Sequence, residues 1–81
     1  MEIKVNKTKQ EQIHKEIVKE ILLTAQECAN NGIDRFYYNL PSGIGLTTYQ
    51  LIDMVEKATN ETVYGGYKCV IGKEIKFTIR D

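Results

Sequence analysis

The 81-residue chain carries eleven basic and eleven acidic side chains, 42% apolar residues, one Pro and no low-complexity run. That is the composition of an ordinary globular domain and not of a disordered tail, and a domain of this length buries only about 60 to 65% of its unfolded surface, so its core is a single layer. Zero net charge removes whole-protein attraction to nucleic acid or anionic lipid, although a local patch can still form.

The longest apolar runs are three residues and the N-terminus lacks the charged-then-apolar order of a signal peptide, which points to a cytoplasmic protein with no membrane span. There, Cys28 and Cys69 are expected to stay reduced and to act as small hydrophobes. One His and two distant Cys do not make a structural zinc site. No motif implies a cofactor.

Residues 1–6 alternate, with Met1, Ile3 and Val5 on one side and Glu2, Lys4 and Asn6 on the other, the period of a half-buried strand. Residues 8–32 follow as a long helix. Ile13, Ile17, Val18, Ile21, Leu22, Ala25, Cys28 and Ala29 fall within one half of its circumference. Thr8 with Glu11 matches a capping box, and Asn30, Asn31 and Gly32 close the helix. His14 projects into the apolar half, where a hydrogen-bonded histidine at the core edge outweighs an acid, base or ligand. Leu23 lies on the polar half among Lys15, Lys19 and Gln26, a candidate partner contact.

The stretch 33–40 reads as a strand with Phe36, Tyr38 and Leu40 on one face and Arg35, Tyr37 and Asn39 on the other, ended by Pro41. The loop Pro41-Ser42-Gly43-Ile44-Gly45 opens into a helix, so its amides invite comparison with an anion cradle. It lacks the Lys and the spacing of a phosphate loop, and a plain turn is the better reading. Ile44 at its tip is a second candidate partner contact. Thr47 with Gln50 completes a capping box for the next helix, and Leu46 and Leu51 are placed as its hydrophobic staple. Leu51, Ile52, Val55 and Ala58 form the buried side, and Asn60 is a stop.

Strands are expected again at 62–71 and 75–80, turning at Gly72 and Lys73. A two-residue loop puts Val70 opposite Ile75, whereas a three-residue loop places Tyr67, Cys69, Ile71, Ile75, Phe77 and Ile79 on one face; the second is preferred for its apolar area. Gly65-Gly66 suggests a bulge or bend.

The element order βαβαββ implies an α+β fold of two layers, a four-stranded mixed sheet covered on one face by two helices. This order is similar to that of the Alba-like and initiation-factor-3 C-terminal folds, a likeness of topology that carries no residue with it. The uncovered face is expected to hold Lys4, Arg35, Lys68, Lys76 and Arg80 with Tyr37, while Glu11, Glu16, Glu20, Glu27, Asp53 and Glu56 lie on the helices. Basic side chains around an exposed ring are the ingredients of single-strand RNA or DNA recognition; the plainer alternative is a face kept polar by Lys and Arg. Three functions are weighed: a non-catalytic regulator or inhibitor acting by protein contact, as a homodimer through a strand edge or the Leu23 side; a nucleic-acid module; and an enzyme, for which His14 and two separated cysteines are the only candidates. Protein contact is the leading expectation.

Overall fold

A computed structural model of the chain describes residues 2–67 and 73–80. The elements are α1 (Lys7–Asn30), β1 (Arg35–Asn39), α2 (Thr48–Ala58), β2 (Val63–Tyr67) and β3 (Glu74–Ile79). The fold is α+β, two helices on a three-stranded antiparallel sheet of order β1-β3-β2.

Both ends of α1 follow from local chemistry. Asn6 is the N-cap, its side chain accepting the Lys9 amide at 3.1 Å. Asn caps more strongly than Thr, so the helix begins ahead of the expected Thr8 cap and Thr8 and Glu11 become helical. At the other end Ile33 N bonds to Cys28 O and Gly32 N to Ala29 O, with Gly32 at φ +73°. This is the Schellman motif, in which the left-handed residue is almost free for Gly.

The early start of α1 removes the strand expected at 1–6. Residues 2–5 form an arm ahead of the cap, with Ile3 92% and Val5 68% exposed. Alternation supplies a strand with a face to bury but not with a neighbour to pair with, and residues 2–5 join no sheet among the described residues. The four-stranded βαβαββ order, and the likeness to Alba-like and initiation-factor-3 C-terminal folds that followed from it, therefore do not describe the sheet formed by the described residues. Its pairings are antiparallel, not mixed: β1 and β2, which α2 connects, run the same way with β3 inserted between them.

Phe36 and Leu40 of the β1 segment, Val63 of β2 and Ile75 and Phe77 of β3 are buried against Ile17, Ile21 and Ala25 of α1 and Leu51 and Val55 of α2. The Phe36 and Phe77 rings stack with centroids 5.4 Å apart. For α2 the expected capping box is formed in both directions, Thr47 N to Gln50 Oε1 at 3.0 Å and Gln50 N to Thr47 Oγ at 3.1 Å. Leu46 and Leu51, the staple positions, are both buried.

The hairpin register is neither of the two expected. Tyr67, not Ile71 or Val70, lies opposite Ile75. The shift from the preferred register is four residues, an even number, so Tyr67, Ile75, Phe77 and Ile79 still share one face; Cys69 and Ile71 lie outside the described residues. The expected bulge is absent as well, since Tyr64, Gly65 and Gly66 pair in unbroken register with Thr78, Phe77 and Lys76. Gly65 answers a different need. A Cβ there would stand 2.7 Å from Ile52 Cγ1 and 3.0 Å from Phe77 Cε1, so the missing side chain lets α2 rest on the sheet.

Candidate functional site

The ladder places side chains on the face away from the helices in rows. Arg35, Thr78 and Tyr64 form one row, Tyr37, Lys76 and Gly66 the next, and Asn39 pairs with Glu74 beyond. None of these residues is buried. Arg80 extends the surface, its guanidinium carbon 3.9 Å from the centre of the Tyr64 ring, a cation–π contact.

Four of the six residues expected on this face, Arg35, Tyr37, Lys76 and Arg80, are brought together. Lys4 is not: it sits on the arm, 3.8 Å from Glu2, with both side chains more than three-quarters exposed. Lys68 lies outside the described residues. Tyr64 belongs to the face and was missed, because reading Gly65-Gly66 as a bulge broke the alternation that begins at Val63. Taken as a straight strand, the same residues put Tyr64 beside Thr78.

The cations of the face are not left to themselves. Arg35 Nε donates to Asp34 Oδ1 at 3.0 Å. This hydrogen bond, and then the charge of Arg35, hold the Asp34 carboxyl below the usual carboxylate range, with a smaller contribution from Lys76. Arg80 is engaged with Tyr64, and Glu74 stands on the same side of β3 as Lys76. The result is a mixed face of aromatic, basic and acidic groups. The opposite side of the molecule is mixed too. Glu11, Glu16, Glu20, Glu27, Asp53 and Glu56 lie on the helices as expected, but Lys7, Lys9, Lys15, Lys19 and Lys57 stand among them, Lys57 3.0 Å from Asp53. The expected division into a basic sheet and an acidic back is therefore weak.

The two expected partner contacts differ. Leu23 is 63% exposed but is ringed on α1 by Lys19, Gln26 and Glu27, and one leucine makes no apolar patch. Ile44 packs half-buried against the core, and its carbonyl accepts a hydrogen bond from His14 Nε2 at 2.6 Å. The Gly-rich loop is thus tied to α1, and the side chains of Thr47 and Gln50 already take each other's amides at its helical end. Cys28 is half-buried on the core side of α1 with a free thiol. Among the described residues no group of three His, Cys, Asp or Glu side chains is placed to hold a metal ion, and no helix is long and apolar enough to cross a membrane.

No protein-family model, no curated protein and no solved structure matches this chain.

Proposed function

We propose that this is a small non-catalytic regulatory or inhibitory protein, cytoplasmic, that acts by protein contact through the open face of its sheet. The observation that carries the reading is the assembly of Arg35, Tyr37, Tyr64, Lys76 and Arg80 on one surface together with the carboxylates that offset them. Tyr and Arg supply most of the binding energy of protein interfaces because they combine a large apolar body with a polar end. Charges already paired within the face orient a partner more than they attract one from a distance.

Single-stranded nucleic acid is the second reading, favoured by one observation, the adjacency of the Tyr37 ring and Lys76 across the ladder. A phosphate-tracking groove needs an excess of cations, and here Asp34 and Glu74 stand among three. Titrating labelled oligo-dT and oligo-U at low salt, together with capture from nuclease-treated extract on wild-type and Lys76→Glu protein, tests the choice. Retention of one discrete protein by the wild type, lost in Lys76→Glu, with no salt-dependent oligonucleotide binding, is the expected result. Oligonucleotide affinity that falls steeply with salt and is lost in Lys76→Glu would replace this reading by the second.

A further inference from the structure

The end of α1 brings a reactive pair of residues to the surface. Asn31 precedes Gly32, whereas Asn6, Asn30, Asn39 and Asn60 precede Lys, Asn, Leu and Glu. The side-chain amide carbon of an asparagine can be attacked by the backbone nitrogen of the next residue. Glycine opposes this least, having no Cβ to crowd the approach and the widest range of backbone angles. Asn31 and Gly32 are both exposed, and a Cβ built on Gly32 would meet nothing within 4 Å.

What holds the two reacting groups apart is the helix terminus itself. Asn31 Nδ2 donates to Glu27 O at 2.8 Å, which turns the side-chain amide back along α1. Gly32 N donates to Ala29 O at 3.1 Å, which occupies the nitrogen that would attack. Asn31 sits at φ −99° and ψ 10°, so Gly32 N nearly eclipses Asn31 N, whereas closure of a five-membered ring needs it beside Cβ. Reaction therefore requires both hydrogen bonds to break and the Cα–C bond of Asn31 to turn. These bonds lie at the fraying end of a helix, where opening costs little while the core stays folded.

We propose that Asn31 is a site of spontaneous deamidation, gated by opening of the last turn of α1, with solvent water as the only co-reactant. Gly32 N gives its proton to solvent and bonds to Asn31 Cγ; the bond from Cγ to Nδ2 breaks, and that nitrogen takes up a proton and leaves as ammonia. Water then opens the cyclic imide. Attack at Cγ gives aspartate, and attack at the main-chain carbonyl carbon gives isoaspartate, whose chain runs on through Cβ and Cγ and gains one backbone atom. Both products weaken the turn. A carboxylate only accepts, so the bond to Glu27 O is lost, and a negative charge now stands at the carbonyl end of the helix. In isoaspartate the extra atom also shifts Gly32 N and Ile33 N away from Ala29 O and Cys28 O, the two bonds of the Schellman motif. The turn leads on to Asp34, whose carbonyl accepts Ile79 N at 2.8 Å, so the change is a one-way loosening of the junction between α1 and the sheet. It is independent of what the open face binds.

Incubation of the intact protein at mildly alkaline pH, folded and in concentrated urea, with peptide mapping by mass spectrometry and an isoaspartate methyl-acceptor assay, tests it. Asn31 is expected to be the first asparagine converted in both states, mainly to isoaspartate, and several-fold more slowly in the folded protein. Thr47→Ala, which lowers global stability without touching α1, is expected to leave the folded-state rate unchanged, and the purified isoaspartate form to melt at a lower temperature than the unmodified protein. Earlier conversion of another asparagine would overturn the proposal, as would conversion confined to urea or equal rates folded and unfolded. So would a folded-state rate that rises in Thr47→Ala, the sign of reaction through global unfolding, or a converted form that melts like the original.

Discussion

His14 and Ile44, thirty positions apart, are joined by a 2.6 Å hydrogen bond. A carbonyl only accepts, so Nε2 carries the proton. The imidazole is a strut between α1 and the loop that enters α2, and the feature that singled it out in the sequence, a titratable ring on an apolar stripe, is explained by this role. His14→Ala is expected to cost about 0.5 to 1.5 kcal/mol, read from urea melts with an unchanged m-value. It is expected to leave binding at the sheet face intact.

Gly65 and Ile52 define how closely α2 approaches the sheet. Gly65→Ala drives a methyl against Ile52 and Phe77 and is expected to cost about 1 to 3 kcal/mol by overpacking. In an Ile52→Ala background the added methyl has room, so its cost falls. A double-mutant cycle in chemical denaturation measures that coupling; independent effects would mean that the close approach does not limit packing.

The start of α2 carries a pair of graded expectations. Thr47→Ala removes one reciprocal bond of the capping box and is expected to cost about 0.5 to 2 kcal/mol. Leu51→Ala empties a fully buried position and is expected to cost about 2 to 5 kcal/mol. Equal losses in denaturant melts would contradict the placement of Leu51 under the sheet.

Tyr38 links stability to alkaline pH. Burial, and then the charge of Glu20, raise its phenol above the ordinary value. The unfolded chain therefore loses this proton first, near pH 10. The contribution of Tyr38 is complete below that pH and is lost as pH rises through the higher folded value. Tyr38→Phe is expected to flatten this alkaline limb in melts taken from neutral pH upward, with acid stability unaffected.

Local signals with reciprocal chemistry were the most legible. Thr47 with Gln50 and Leu46 with Leu51 each name a partner; the Thr47–Gln50 bonds are formed in both directions and both leucines are buried in the core. The alternation in 33–40 set the faces of β1 correctly because Phe36, Tyr38 and Leu40 share one side while Arg35, Tyr37 and Asn39 share the other. Residues 1–6 misled because alternation says what a strand can bury but not whether an edge lies within reach, and a cap at Asn6 decides that first. Gly65 misled for a related reason. A glycine in a strand can mark a bulge or the close approach of another element, and only Ile52, thirteen positions away, distinguishes the two. The open face was recovered for Arg35, Tyr37, Lys76 and Arg80 because an even register error preserves side-chain parity, whereas Lys4 fell with the missing strand and Tyr64 with the supposed bulge.

The central claim, protein contact at the open sheet face, is tested most directly by photo-crosslinking in cells with p-benzoylphenylalanine replacing Tyr37 in one chain and Leu23 in another. A discrete protein adduct from position 37, absent from position 23 and lost when Lys76→Glu and Arg80→Glu are added, is the predicted result. A nuclease-sensitive adduct at position 37, or a protein adduct from position 23 alone, would contradict it.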